Sequence, residues 1–129
     1  MSVNQSTVTQ RDTVDAFQAD ATGCGAYLRC KFNTNGVLTV AGATDDANMI
    51  SVSAVAANAI GFFSYIAGPG TRWGIASGAI SAGSPIYSAA AGQISATQGT
   101  GHLIGRAVTD GTNGNPFIWI PLSENSSAS

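Results

Sequence analysis

The chain has 129 residues and a formal net charge of −2, the length of one domain able to bury its own core without metal or disulfide staples. Charged residues make up 9% of it, against about 25% in an ordinary soluble domain. Its arginines (Arg11, Arg29, Arg72, Arg106) stand apart with Lys31 the only lysine, so no basic stripe exists to neutralise nucleic-acid phosphates. No apolar run approaches the roughly 20 residues of a membrane-crossing helix. A surface so poor in charge must be covered by small polar residues or by another protein, which makes assembly the expectation.

Residues 1–12 read as an extended polar arm without glycine or proline, with Val3 and Val8 its β-branched apolar side chains. It is either disordered or laid as a strand on a neighbour. It has neither the basic nor the apolar region of a secretory signal, which predicts a chain made and used without export. Cys24 and Cys30 follow. They lack the spacing and the further ligands of a zinc site. The sequence favours two reduced thiols, Cys30 buried on a strand and Cys24 in a glycine loop; a short-range disulfide stays open if Gly23 and Gly25 fold the chain back.

Ala26–Asn33 alternates, with Ala26, Leu28, Cys30 and Phe32 on one side and Tyr27, Arg29 and Lys31 on the other, which predicts a strand. The Asn33-Thr34-Asn35-Gly36 run predicts a hairpin, because Asn and Gly accept the positive φ of tight turns, and Val37–Val40 is its return strand. In 43–58, Thr44 followed by Asp45 and Asp46 suits a helix start, yet Ile50, Val52 and Val55 are β-branched. The prediction is a strand over Met49–Ser53, then a small-residue connection or one helical turn. Ile60–Ala67 is a β-rich, aromatic strand ended by Gly68-Pro69-Gly70. The segment from Gly70 to Ile94 predicts a strand over Arg72–Ser77, a glycine turn at Ala82-Gly83, a strand over Pro85–Ser88 and a hairpin at Ala91-Gly92. Leu103–Val108 and Phe117–Leu122 complete the set, and 123–129 has the composition of a solvated tail. Short strands punctuated by turns every 8–12 residues or so indicate an all-β barrel or sandwich.

No catalytic, cofactor or metal constellation stands out. The G-x-G-x-x-x-G runs at 68–74 and 99–105 are one residue too long for a dinucleotide loop and precede strands instead of helices. His102, the only histidine, has no nucleophile or carboxylate tied to it by a motif, and Asp45-Asp46 lacks the pattern of a calcium loop. Trp73, Tyr87, Phe117 and Trp119 suit either sugar stacking or a core and interface role. The last strand is apolar on both faces, with Phe117, Trp119 and Pro121 on one and Ile118, Ile120 and Leu122 on the other. Neither face tolerates exposure, which predicts that one packs the barrel and the other a neighbouring subunit.

VLTVAGATDD (37–46), PGTRWGIASGAISAGSPIYSAAAGQIS (69–95) and HLIGRAV (102–108), in that order and spacing, resemble the capsid decoration, or cement, proteins of tailed bacteriophages. The most specific element is A-S-G-A-I-x-A-G-x-x-[VI]-Y followed by A-x-G-x-[IV]-S, at 76–87 and 90–95, with I-G-x-A at 104–107. The resemblance spans about residues 13–122 and departs from the family pattern at Gly23–Gly25, in the aromatic 60–67 strand and in the 110–116 loop. It implies a small β-barrel or β-tulip body on the outside of the head, commonly a homotrimer, that locks the major capsid protein lattice. It implies no enzymatic activity, no cofactor, and assembly in the host cytoplasm. Contacts with capsid and neighbouring subunits are then expected from Val3, Val8 and Arg11 of the arm and from Arg72, Trp73, Phe117 and Trp119 of the body. The second reading is a β-rich virion module that binds a host receptor or glycan through Trp73, Tyr87 or Trp119.

Overall fold

The computed structural model describes residues 14–67 and 70–122. The expected arm, with Val3, Val8 and Arg11, and the expected tail lie outside the described residues. What folds between them is all-β. β1 (Val14–Gln18), β2 (Arg29–Phe32), β3 (Leu38–Val40), β4 (Met49–Ser51) and β5 (Ile60–Tyr65) form one antiparallel sheet in the order β1-β5-β4-β2-β3. β6 (Arg72–Ile75), β7 (Pro85–Ser88), β8 (Ile94–Ser95), β9 (Leu103–Ala107) and β10 (Pro116–Pro121) form a second, in the order β6-β10-β9-β7-β8.

The second order repeats the first, strand for strand. A constant shift of 56 residues carries Cys30↔Met49 onto Ile86↔Gly105, Phe32↔Leu38 onto Ser88↔Ile94 and Ser51↔Phe63 onto Ala107↔Trp119. One residue more carries β1 onto β6, so Asp15↔Phe63 becomes Arg72↔Trp119. The isolated bridges repeat too: Ala19↔Leu38 matches Ala76↔Ile94, and Cys24↔Val55 matches Ile80↔Gly111. Positive φ recurs at equivalent turns, at Tyr27 and Gly83 and at Asn58 and Gly114. The chain is therefore two copies of one five-stranded unit in tandem.

The all-β expectation of a barrel or sandwich holds in its coarse form, and neither sheet closes into a barrel. In each unit the edge strands meet only at one parallel bridge, because β3 is three residues long and β8 two, too short to extend a ladder that would seal the roll. Other differences are local. The strand expected from Ala26 begins only at Arg29, since Tyr27 sits at φ 63° and donates its N–H to Ser51 O at 2.8 Å. No helix forms over 43–58: the Asp45 carboxylate accepts the Gly42 N–H at 2.8 Å, bracing a loop instead of capping a helix. The hairpins at Asn33–Gly36 and Ala91-Gly92 form as expected, and β1 was not anticipated.

Each unit has its own core. Ala19, Cys30, Leu38, Met49, Val55 and Phe63 fill the first, and Ala76, Ile86, Ile94, Ala107, Phe117 and Trp119 dominate the second. Phe63 and Trp119 hold the same position. The larger indole is accommodated by a smaller neighbour, for Phe17 of the first unit becomes Gly74 of the second. A Cβ on Gly74 would lie 2.6 Å from Ile94 Cδ1 and 2.9 Å from Trp119 Nε1.

The units are joined by buried polar contacts. Arg29, wholly buried on β2, donates from Nη2 to Ala89 O (2.6 Å) and Gly42 O (3.3 Å) and from Nε to Gln93 O (3.1 Å), gripping the β7–β8 turn. Gly92 N–H donates to Ala41 O at 2.8 Å and Ser88 Oγ to Ala43 O at 2.6 Å. Ile50, on the outer face of β4, is buried as part of the second unit's core cluster. Burial lowers the Arg29 pKa, and the neighbouring Asp45 carboxylate opposes the shift.

Candidate interaction surface

The expected contact residues divide sharply. Phe117 and Trp119 are buried in the second core, Trp119 with no exposed surface at all, so neither offers a contact to another molecule. Period-2 alternation fixes which residues share a face of β10 but not which face turns inward; packing chose Phe117, Trp119 and Pro121. Arg72 is also buried. Its Nε donates to Tyr65 O (2.8 Å) and its Nη atoms to Thr71 O, Ile66 O and Ala67 O, so it braces the segment between the units. Trp73 is 47% exposed and stacks on Tyr27, with ring centroids 5.5 Å apart and planes at 28°. Tyr87 is half-buried.

The exposed apolar surface that does exist is mostly one the sequence left unassigned. In the β1–β5 ladder Gln18, Ala16 and Val14 pair with Ile60, Phe62 and Ser64, and directly opposed residues share a face. Ile60 is 73% exposed and Phe62 58%. Val14 and Val52 continue the strip to a cleft of about 250 Å³ whose far wall is Tyr27 and Trp73. β1 is an edge strand: apart from the Ala19 bridge, its outer side pairs with no strand among the described residues. The signal was present in Ile60–Tyr65, where apolar side chains occupy both faces and one face must lack a core to enter.

A second exposed patch lies on β9 and β10, where Leu103, Val108, Ile120 and Leu122 line a groove of about 410 Å³.

The polar clusters read differently. His102 Nδ1 lies 3.4 Å from Ser88 Oγ, and its Nε2 lies 3.4 Å from Asp46 Oδ1. The order imitates a hydrolase triad, but the Ser88 hydroxyl is fully buried, donates to Ala43 O and accepts the His102 backbone N–H at 3.0 Å. A nucleophile needs its oxygen open to substrate and its proton aimed at the base; this one ties two loops together. Cys24 and Cys30 are both free thiols. A hydrogen bond from Cys30 lowers the half-exposed Cys24 thiol to about 7, and the same bond, with burial, pushes Cys30 up. Among the described residues no group of three or more His, Cys, Asp or Glu is placed to hold a metal ion, and no helix is long and apolar enough to cross a membrane.

No protein-family model matches this chain, and no curated protein matches it in sequence. The geometry of the surface therefore carries the functional reading, together with the motif resemblance.

Proposed function

We propose that this chain is a structural virion protein that binds the outside of a tailed-phage head and stabilises the lattice of the major capsid protein. The observation that carries the reading is the Ile60–Phe62 strip beside the edge of β1, which pairs with no further strand among the described residues, on a body poor in charge. Exposed apolar strands at a sheet edge are an aggregation hazard unless another chain covers them. Residues 1–12 precede β1 in the sequence; in this reading they add main-chain hydrogen bonds to a capsid-protein sheet edge and the strip supplies buried apolar area.

The two partly rolled sheets are the body we liken to the barrel or β-tulip of the decoration proteins, arranged as homotrimers on the lattice. Many copies that bind only the assembled shell shift its equilibrium toward assembly. The role needs no enzymatic chemistry and no cofactor.

The test adds purified protein to expanded heads that lack it and follows bound copies and the temperature of DNA release. Wild-type protein should bind and raise that temperature. Ile60→Glu/Phe62→Glu should leave the fold intact, since both side chains point to solvent, and should lose at least tenfold in occupancy. Heads equally stable with and without the protein would refute the reading. The receptor or glycan alternative rests on Trp73 and its cleft: there, Trp73→Ala should abolish host adsorption at normal occupancy.

A further inference from the structure

We propose that Cys24 and Cys30 form a disulfide within the chain when a small disulfide oxidant reaches Cys24, making the pair a reversible redox site in the first unit. The site is a property of the fold and does not rest on the capsid reading.

The chain between the two cysteines is folded back on one residue of β4. Ser51 Oγ donates to Gly25 O at 2.6 Å and accepts the Leu28 N–H at 3.1 Å. The Ser51 backbone accepts the Tyr27 N–H at 2.8 Å and donates to Leu28 O at 3.1 Å. Cys24 is itself held by a two-way bridge, its N–H to Val55 O at 2.9 Å and the Val55 N–H to Cys24 O at 2.8 Å. Gly23 permits that approach, since a Cβ there would lie 2.6 Å from Val55 O. The loop is thereby pinned so that its two sulfurs share one core. Cys30 is wholly buried in it, and Cys24 packs against the same cluster from a half-exposed position. The second unit gives an independent indication of how the two positions sit. The 56-residue shift that matches the bridges carries Cys24 onto Ile80 and Cys30 onto Ile86, and both isoleucines are buried in one cluster. Two thiols stand where the other unit buries two isoleucines, and they are hydrogen-bonded to each other.

The two sulfurs have unequal parts. Cys24 is reachable from solvent, and the hydrogen bond from Cys30 lowers its thiol to about 7, which makes it the attacking thiolate at neutral pH. Cys30 is closed to reagents in solvent but not to the sulfur beside it. The Cys24 thiolate attacks one sulfur of glutathione disulfide; that S–S bond breaks, one glutathione leaves as thiolate and a mixed disulfide forms on Cys24. The hydrogen bond to Cys24, burial, the charge on Cys24 and the Asp20 carboxylate hold the proton on Cys30, against the pull of Arg29. Capping Cys24 removes the first and third of these. Cys30 then gives its proton to solvent and its Sγ attacks Cys24 Sγ, expelling the second glutathione thiolate. In sum, two protein thiols lose two electrons and two protons, and one glutathione disulfide becomes two glutathione thiols. A thiol of low pKa is also a good leaving group, so excess glutathione reopens the bond. The cross-link is absent in reducing surroundings and forms in oxidising ones.

The test exposes the reduced, native chain to glutathione disulfide at neutral pH, then unfolds and alkylates it for mass measurement. The wild type should lose both free thiols, retain no glutathione and stay a single chain. Trypsin cuts after Arg29, between the cysteines, so the bond should join two peptides that separate on reduction. Cys30→Ala removes the second sulfur and should keep one glutathione on Cys24, whereas Cys24→Ser should leave Cys30 unmodified. The peptide map of the wild type decides the matter if either variant folds poorly. Two free thiols left in the wild type, a glutathione that stays on Cys24, or a bond between chains would each overturn the proposal.

Discussion

Gly74 and Trp119 show how single residues reconcile two copies of one fold. Where the first unit sets Phe17 against Phe63, the second sets Gly74 against the larger Trp119, and the indole and Ile94 leave no room for a methyl group on Gly74. Gly74→Ala should destabilise the protein by about 1–3 kcal/mol, the usual cost of overpacking a closed core, measured as a shift of the urea midpoint. An unchanged midpoint would mean that Trp119 can move aside. Cys24 gives a second expectation at this scale. Its thiol is lowered to about 7, so alkylation of native protein should reach half its maximal rate near pH 7, not near the ordinary thiol value of about 8.5. Cys30 should react only on unfolding. A thiol that ionises more readily when folded adds stability as pH rises from about 7 toward its unfolded value. Cys30, held protonated by burial and by Cys24, removes stability once the pH passes the ordinary thiol range.

The strands were legible to the extent that their ends are marked by turn chemistry. Gly36 and Gly92 hold the positive φ their hairpins need, at 81° and 73°, although Ala91 beside Gly92 also takes a left-handed φ of 57°, and the strands beside these turns lie within a few residues of where the sequence predicts them. β1 escaped notice because only Phe17 among its five residues is large and apolar and partly enters the core. β10 was found but not oriented, since the choice between its two apolar faces is made by the rest of the core. Alternation alone therefore makes Phe117 and Trp119 plausible contact residues, and only packing turns them into core. Packing of the two units depends on one side chain in particular. Arg29→Met should cost about 3 kcal/mol or more, because the buried carbonyls of Ala89 and Gln93 lose a charged donor. Arg29→Lys should recover little of it, having no fork to span both. Denaturant unfolding checks both variants; full stability in the methionine variant would show that the turn is held by other contacts.

On the scale of the whole molecule the duplication is invisible in the sequence, although every ladder repeats. A strand's place is fixed by alternation and turn spacing, which many side chains satisfy, so Phe17 and Gly74 or Met49 and Gly105 hold equivalent positions with nothing in common. The resulting body has two cores, few charges, and apolar side chains on three outward surfaces: the Ile60–Phe62 strip, the Ile120 groove and Phe32. An ordinary monomer has no use for so many. The proposed capsid-bound role would use them, with the Ile60–Phe62 strip turned to the shell. A reconstruction of the intact particle tests this most directly. The account predicts density for the protein on the outer shell, with Ile60 and Phe62 against the major capsid protein and Trp119 remote from every intermolecular contact. A head without the protein, or one on which the Ile60–Phe62 strip faces open solvent, would contradict it.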